Sequence, residues 1–225
     1  MIKIAVDGPG GAGKSLLARN IAKKLGYIYV DTGALYRAVG LYMKRRGVDV
    51  RDSAAVVRML PGVTLSIEYR EENQIVILCG EEVEDALLRT PEISMYASAV
   101  SAIGQVRELL LDTQRHLAEK YNVVMDGRDI GTVIFPDAQC KIFLTASDEV
   151  RAMRRFEELR ARGDEGIRYE DVLGDMRRRD KNDSTRKIAP AIPADDAVIL
   201  DNSDIDADGT LEEALKIIAS KGVKC

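Results

Sequence analysis

The first fifty residues alternate between short, continuously apolar runs and longer stretches with helical periodicity. Residues 2–6 form an apolar run that is typical of a strand buried in a parallel sheet. After a glycine-rich loop, apolar residues recur at helical spacing over 17–25, and Gly26 supplies a helix stop. Residues 27–30 predict a second strand, and a second helix is expected over about 34–46. This order of strand, helix, strand and helix favours a parallel α/β sheet.

The stretch from 61 to 90 interrupts this alternation. Residues 64–69 and 74–78 are rich in β-formers and are joined by the polar residues 70–73, which predicts an antiparallel hairpin. A third strand is expected near Glu82 and Val83. We interpret the stretch as a small inserted β-subdomain.

The α/β pattern then resumes and continues to the end of the chain. The predicted elements are a helix over about 105–121, strands at 122–126 and 141–145, an arginine-rich helical region from Asp148 to about Lys187, a strand at 197–201 and a helix over 211–219. Together with the first two strands, this count predicts a five-stranded parallel sheet flanked by helices.

We therefore predict one α/β domain over 1–225 with the fold of a P-loop NTPase. Its predicted parts are a core of 1–60, 98–147 and 188–225, a β-rich insert over about 61–97 and a helical, arginine-rich lid over about 148–187.

Composition narrows the class of protein. The chain has 225 residues, of which 46% are hydrophobic and 31% charged, as expected for a globular domain. A net charge of −4 argues against general nucleic-acid binding. The sequence has no run of 18 apolar residues, so no membrane-spanning helix is expected. We expect no nucleic-acid or membrane partner and a monomer.

The termini and cysteines suggest the compartment. The amino end leads directly into the first strand without the basic segment and cleavage site of a signal peptide. Cys79, Cys140 and Cys225 are widely spaced and form no C-x-x-C pair, which argues against a disulfide framework or a zinc site. These features favour a cytoplasmic protein.

The loop between the first strand and the first helix has the spacing G-x-x-x-x-G-K-S. Glycines allow successive backbone N–H groups to surround a phosphate, and the following helix dipole adds positive potential. Lys14 is expected to reach the β- and γ-phosphates, and the Ser15 hydroxyl to bind Mg²⁺. The predicted triphosphate-binding residues are Gly8, Pro9, Gly10, Gly11, Ala12, Gly13, Lys14 and Ser15.

Two other segments follow predicted strands, where ligands bind in such sheets. Arg37 lies one turn into the helix after the second strand and is placed to bind a second phosphate, although a helix arginine is usually only solvated. Asp126 ends an apolar strand, a position that commonly supports the Mg²⁺ shell. Arg128 and Asp129 are expected to project into the ligand crevice, although a plain Asp-Gly turn remains an alternative.

Ten arginines lie between Arg151 and Arg186. Within this region Arg179, Asp183 and Arg186 are spaced i, i+4 and i+7, which predicts one helix face with two arginines held by a carboxylate. A solvated, charged helix explains this segment equally well when it is considered alone.

These features predict a phosphoryl-transfer site with positive charge on both sides of the reacting group. Many arginines are needed where two nucleotides bring their phosphates together. A phosphate acceptor is already an anionic nucleophile, so no general base is required. We assign no catalytic role to the single histidine, His116.

Beyond these patterns, the chain resembles the bacterial cytidylate kinase family over nearly its whole length. The segments that carry the resemblance are 4–15, 31–37 (DTGALYR), 126–133 (DGRDIGTV), 141–144 and 179–186. The β-rich insert is similar to that of the longer bacterial form. The resemblance implies ATP-dependent phosphorylation of CMP and dCMP to their diphosphates.

The resemblance also implies roles for individual residues. On the acceptor, the implied residues are Arg37, Arg128 and Arg186 for the phosphate, Arg179 and Asp183 for the sugar, and Ser98, Arg107 and Asp129 for the base. Thr32 and Tyr36 belong to the implied substrate segment. Arg151 and Arg154 are implied to lie in the mobile lid over the ATP phosphates. Lys14, Arg128, Arg151, Arg154, Arg179 and Arg186 form the implied catalytic set. Leu16 departs from the family, which usually has a small hydroxyl residue there.

Two alternatives remain open at this stage. The acceptor could be UMP, AMP or a non-nucleotide metabolite, because a phosphate loop defines only the donor. A GTP-dependent switch protein is the alternative from another class, but it requires an Asn-Lys-x-Asp segment, and residues 181–183 do not provide one.

Overall fold

The structure is a computed structural model that describes residues 1–70, 73–161, 163–164 and 166–224. Its strands are β1 (Lys3–Asp7), β2 (Ile28–Asp31), β3 (Leu65–Arg70), β4 (Asn73–Leu78), β5 (Glu81–Val83), β6 (Val123–Asp126), β7 (Cys140–Thr145) and β8 (Val198–Asp201). Its α-helices are α1 (Lys14–Leu25), α2 (Thr32–Arg45), α3 (Ser53–Met59), α4 (Asp85–Leu88), α5 (Pro91–Ser101), α6 (Gly104–Lys120), α7 (Asp148–Ala161), α8 (Tyr169–Thr185) and α9 (Ala207–Ser220).

Five strands form the parallel sheet that the sequence predicts, in the order β2-β6-β1-β7-β8. In this register Asp31 lies beside Asp126, and Val6 lies beside Asp126 on the other side. Parallel strands end at the same sheet edge, so Asp7, Asp31 and Asp126 meet there. The crevice at this edge is where open α/β sheets bind ligands.

Helices cover both faces of the sheet. Helices α1 and α9 pack on one face around Ile4, Ile21, Leu144 and Ile218, and these side chains are fully or almost fully buried. The other face is covered by α6 and a π-helical turn, Ile130–Ile134. No element was predicted from the sequence at this turn.

Helix α2 begins two residues before its predicted start. The Asp31 side chain caps it by accepting a hydrogen bond from the backbone N–H of Ala34 at 2.9 Å, which satisfies a donor at the helix end. The strand-end carboxylate is therefore also a helix cap.

The predicted hairpin is present as β3 and β4 with Leu65 opposite Leu78, and β5 adds the third strand. Glu71 and Glu72 of the predicted connection lie outside the described residues, as does Cys225. Helices α4 and α5 follow within residues 85–101 and were not predicted. Helix α5 packs closely on α2. A Cβ at Gly40 of α2 would lie only 2.9 Å from the Cβ of Tyr96 on α5.

The arginine-rich region consists of two helices, α7 and α8, which pack through the buried residues Ala152, Leu159 and Val172. Helix α8 ends at Thr185, and Arg186 follows with extended backbone. The prediction that Arg186 continues the helix face of Arg179 and Asp183 is therefore wrong at Arg186. In the described part of the chain, no helix is both long and apolar enough to span a bilayer.

Candidate active site

The phosphate loop lies between β1 and α1, as predicted, and two of its glycines are required by geometry. Gly8 has φ 143° and approaches β7 so closely that a Cβ would lie 2.0 Å from the carbonyl oxygen of Leu144. Gly13 occupies the helix N-cap with φ 90°. Residues with a side chain rarely adopt such positive φ values, so the curled loop depends on glycine at these positions.

Lys14 is buried beneath this loop and donates a hydrogen bond to the carbonyl oxygen of Pro9 at 2.7 Å. Burial and then the positive charge of Arg128 lower the pKa of Lys14 to about 7. A phosphate bound in the loop would favour the protonated amine, so the site is electrostatically suited to an anion.

Ser15 and Asp126 are brought together, as the sequence predicts. The Ser15 hydroxyl donates to Asp126 Oδ2 at 2.9 Å, and the Tyr29 hydroxyl donates to Oδ1 at 2.9 Å. Burial and then the neighbouring Asp31 raise the pKa of the Asp126 carboxyl. A cation beside Ser15 would favour the ionised carboxylate.

Asp7 connects β1 to the segment that carries Arg128 and Asp129. Its two carboxylate oxygens accept hydrogen bonds from the backbone N–H groups of Ile130 at 2.8 Å and Gly131 at 2.7 Å. Burial raises the pKa of Asp7 to about 6, although these two hydrogen bonds act in the opposite direction. Asp7 thus fixes the π-helical turn against the phosphate-loop strand.

Arg128 spans the crevice between the loop and the lid. Its Nη1 donates to the carbonyl oxygen of Gly8 at 2.9 Å, and its Nε donates to Asp183 Oδ2 at 3.2 Å. The Arg179 Nε lies 4.0 Å from the same Asp183 oxygen. Asp183 therefore holds Arg128 and Arg179, and not Arg179 and Arg186 as predicted.

The carboxylate that pairs with Arg186 is that of Asp129, and the Arg186 Nε donates to the carbonyl oxygen of Ala189 at 2.6 Å. The Arg186 Nη2 lies 3.7 Å from Asp129 Oδ1, while Arg107 donates a short hydrogen bond to Asp129 Oδ2. The Arg107 guanidinium also lies 5.5 Å from the centre of the Tyr36 ring. Because Arg186 leaves the helix, it reaches a carboxylate on a different element from the one predicted.

Sequence reasoning missed Ser101 at this end of the site. Its carbonyl oxygen accepts from Arg107 at 3.2 Å, and its hydroxyl lies 3.4 Å from Arg186 Nη1. Ser98, which was predicted to contact the base, accepts from the Ser101 hydroxyl through its own carbonyl oxygen at 2.8 Å. The role of Ser98 stays a prediction.

Arg37 and Thr32 are positioned by strand-end groups. Arg37 Nη2 donates to Asp31 Oδ2 at 2.8 Å, and the Thr32 hydroxyl donates to the carbonyl oxygen of Asp126 at 2.8 Å. The Arg37 Nε is buried and has no hydrogen-bond partner among the described residues. Arg37 therefore has one donor that the described residues do not satisfy.

On the donor side, the lid arginines contact the phosphate loop. Arg151 is buried and donates to the carbonyl oxygen of Gly10 at 2.8 Å and to Asp180 Oδ2 at 2.5 Å. Asp180 also accepts from the Gly10 N–H at 3.3 Å. Sequence reasoning missed Asp180, because a single aspartate among arginines carries no distinguishing pattern.

Arg154 reaches the loop through Asn202, which was also missed. Its guanidinium donates to Asn202 Oδ1 at 3.1 Å and to the Asn202 carbonyl oxygen at 2.9 Å. The Asn202 amide in turn donates to the Ala12 carbonyl oxygen at 3.1 Å. Its position directly after β8, at the ligand edge of the sheet, was the available signal.

Two cavities lie on either side of the loop. One of about 240 Å³ is lined by residues that include Pro9, Arg128, Arg151 and Asp183. The other, of about 210 Å³, lies beside α1 and is lined by residues that include the half-exposed Leu16. The first is rich in charge, whereas the second offers an apolar surface next to the phosphate loop.

A phosphate loop on a five-stranded parallel sheet, faced by several arginines, defines a P-loop kinase. Among solved structures the chain is similar to a sugar kinase from Janibacter sp. HTCC2649, with a TM-score of 0.50 at 12% identity over 97% of this chain and 95% of that one. At that identity the likeness concerns the fold alone.

Sequence comparisons give the family. The cytidylate kinase family model matches residues 4–220. The chain is 44% identical to the cytidylate kinase of Caldicellulosiruptor bescii over 96% of this chain and 95% of the relative. It is 43% identical to that of Carboxydothermus hydrogenoformans over 98% of each. The chain belongs to the cytidylate kinase family.

Proposed function

We propose that this protein transfers the γ-phosphoryl group of ATP to CMP and dCMP, forming ADP and the cytidine diphosphates. The observation that carries this proposal is the carboxylate of Asp129, held between Arg107 and Arg186 at one end of a crevice. Arg128 connects that end to the phosphate loop. Family membership supports the same activity.

The Asp129 group is suited to cytosine. Cytosine presents an exocyclic amino donor beside acceptor atoms, so a carboxylate and an arginine complement it. Uracil places a carbonyl oxygen where the amino group would be, which would leave buried polar groups unpaired. Ser98 belongs to this proposed set, and Tyr36 would contact the acceptor through the ring that lies beside Arg107.

The acceptor phosphate would bind to Arg37, Arg128 and Arg186, and the sugar to Arg179 and Asp183. Hydrogen bonds already order Arg37 and Arg128 on carboxylates and Arg186 on neighbouring oxygens, which lowers the entropic cost of orienting the acceptor. The acceptor oxygen attacks the γ-phosphorus while the bond to the ADP oxygen breaks. The phosphate nucleophile is anionic at neutral pH, so no protein base is needed.

The donor phosphates would bind to the backbone N–H groups of the loop and to Lys14. To bind there, they would replace the Pro9 carbonyl as the partner of Lys14 and Asp180 as the partner of Gly10 N–H. Arg151 and Arg154 would then contact the phosphates from the lid and exclude water. We place the adenine in the 210 Å³ cavity beside Leu16.

Mg²⁺ would be held by Ser15 and Asp126. The described residues contain no cluster of three or more His, Cys, Asp or Glu side chains able to hold a metal ion. One hydroxyl and one carboxylate fit Mg²⁺, which usually keeps several waters and takes its remaining ligands from substrate phosphates. When bound, the ion would offset charge on the transferred group.

We also propose a cytoplasmic protein that acts on small-molecule nucleotides, because the exposed thiol of Cys79 forms no disulfide within the described part of the chain, which fits a reducing compartment. We further propose that it works as a monomer.

Product analysis tests this proposal. The protein is incubated with ATP and CMP, with Mg²⁺ or with EDTA, and the nucleotides are separated by anion-exchange chromatography. We expect equal amounts of ADP and CDP that depend on Mg²⁺. ADP formation that is independent of CMP would contradict a kinase activity toward CMP.

A further inference from the structure

Strand β2 is an edge strand of the main sheet, and side chains from the second sheet cover its outer edge. The Tyr69 hydroxyl donates to the Tyr29 carbonyl oxygen at 3.1 Å. Gln74 bonds twice to Asp31, accepting from its N–H at 2.9 Å and donating to its carbonyl oxygen at 3.1 Å. These bonds satisfy edge groups that would otherwise be unpaired and fix β3 and β4 against the end of β2.

The same attachment brings Arg89 to the Asp31 carboxylate. Arg89 follows α4, and its Nη2 lies 3.0 Å from Asp31 Oδ2, the oxygen that also accepts from Arg37 at 2.8 Å. The Arg89 Nε donates to Asp85 at 2.6 Å. The Asp31 side chain is only 8% exposed. One buried carboxylate oxygen is therefore shared by two guanidinium groups.

This sharing changes the charge that Arg37 presents to the crevice. A pair made only of Arg37 and Asp31 would be neutral, and a ligand phosphate would compete with the carboxylate for the guanidinium. With Arg89 on the same oxygen, the group carries one net positive charge. Asp85 offsets part of this charge, but its side chain is 66% exposed and screened by water, whereas Asp31 is buried beside Arg37.

Arg37 also lies within electrostatic range of the proposed sugar-binding arginine. Burial, then Arg128 and, more weakly, Arg37 lower the pKa of Arg179. The positive charge of Arg37 thus contributes to the electrostatic potential in the crevice.

We propose that Arg89 is a positioning residue for the acceptor phosphate and acts through Asp31 on Arg37. This inference rests on the proposed role of Arg37 as a ligand of that phosphate. It gives the β-rich segment a function, because Tyr69 and Gln74 fix the segment that delivers Arg89. The second guanidinium holds the Asp31 carboxylate in place and leaves the charge of Arg37 available to the ligand.

A double-mutant cycle tests the proposal. Arg89→Ala, Arg37→Ala and the double variant are assayed by steady-state kinetics with varied CMP at saturating ATP, and then with varied ATP at saturating CMP. Arg89→Lys tests rescue by charge. Arg70→Ala is the matched control, because Arg70 lies on β3 and pairs with the exposed Glu82.

We expect Arg89→Ala to raise the KM for CMP about tenfold and to change kcat much less. A tenfold change in affinity is about what the loss of one charge-assisted hydrogen bond produces. The KM for ATP should stay unchanged, and Arg89→Lys should recover most of the loss. In the Arg37→Ala background, Arg89→Ala should add less than about twofold, because both changes remove the same interaction. Arg70→Ala should behave as the wild type does.

Two results would overturn the proposal. An unchanged KM for CMP in Arg89→Ala would show that Arg37 does not depend on Arg89. An undiminished effect of Arg89→Ala in the Arg37→Ala background would show that Arg89 contacts the ligand itself or acts elsewhere. Thermal unfolding followed by circular dichroism checks each variant. If Arg89→Ala does not fold, Arg89→Gln keeps a long polar side chain without the charge and takes its place.

The wild-type protein separates this proposal from the proposed function. If the wild type fails to phosphorylate CMP, the function is contradicted. The cycle is then measured with whichever nucleoside monophosphate the wild type does phosphorylate, since the proposal concerns the phosphate and not the base.

Discussion

The donor and acceptor halves of the crevice are constructed in different ways. The donor half is one continuous loop whose backbone groups face inward, and its shape depends on Gly8 and Gly13. The acceptor half is assembled from side chains of distant segments, in which carboxylates lie close to the guanidinium groups. Asp31 accepts a hydrogen bond from Arg37, and Asp129 lies 3.7 Å from Arg186. The donor site is thus a property of one motif, whereas the acceptor site is a property of the whole fold.

This difference has consequences for substitutions. In the donor half most ligand groups are backbone N–H groups, which substitutions do not remove. Substitution of the Lys14 side chain should therefore reduce phosphoryl transfer more than any other change in this half. In the acceptor half several arginines share the anion, so one loss should weaken binding without abolishing transfer. Arg128 contacts both halves through Gly8 and Asp183 and should lie between these extremes.

The largest effect is expected for Lys14→Ala. Loss of the amine removes the charge that stabilises the β- and γ-phosphates in the transition state, and the rate should fall about a thousandfold or more. Rapid-quench, single-turnover experiments with CMP and ATP measure this step. Near-normal rates would show that the loop backbone suffices without Lys14.

Arg128→Ala should reduce kcat/KM for CMP about a hundredfold, because a partly buried charge that bridges both halves is lost. The KM for ATP should change less, since the backbone N–H groups of the loop are retained. Steady-state kinetics with each substrate varied in turn measures both quantities. If CMP kinetics are unaltered, Arg128 does not belong to the acceptor half.

Asp129→Asn should lower the preference for CMP over UMP about tenfold, because an amide can donate to the uracil carbonyl that a carboxylate repels. The measurement is the ratio of kcat/KM values for the two acceptors. Asp137→Asn is a matched control, since Asp137 pairs with Lys3 at the surface. An unaltered ratio in Asp129→Asn would remove Asp129 from base recognition.

The smallest expected effect is a proton taken up when ATP binds. The pKa of Lys14 is lowered to about 7, mainly by burial, so the unliganded amine is largely neutral at pH 8. Bound phosphates raise this pKa, and binding should then take up close to one proton at pH 8. At pH 6 the amine is already protonated, so uptake should vanish.

Isothermal titration calorimetry in buffers of different ionisation enthalpy measures this proton uptake. Lys14→Ala serves as the control, because any proton exchange that it still shows on binding ATP comes from ATP and the other groups and is subtracted. Equal uptake at pH 6 and pH 8 in the wild type would contradict the lowered pKa.

The contrast between the two halves also explains what the sequence could predict. The parallel sheet and phosphate loop follow from local patterns, namely apolar runs and a fixed glycine spacing. The turn Ile130–Ile134 is mostly apolar, and periodicity alone cannot distinguish such a short run from a strand. Helix α5 was missed because its small apolar residues, such as Ala97, follow a β-rich stretch.

Local sequence patterns could not predict contacts between residues that are far apart in the chain. Arg186 has helical spacing from Asp183, yet it leaves the helix and reaches Asp129, 57 positions earlier in the chain. The pairing of Arg89 with Asp31 likewise depends on how the second sheet meets β2. Such contacts arise from tertiary packing, so the proposed residue roles in the acceptor half relied on family resemblance.

The central claim is that this crevice selects cytosine-bearing acceptors, and an acceptor panel tests it most directly. Values of kcat/KM are measured with ATP and Mg²⁺ for CMP, dCMP, UMP and AMP under the same conditions. The structure predicts that CMP and dCMP exceed both UMP and AMP. Equal or better turnover of UMP or AMP than of CMP would contradict the assignment.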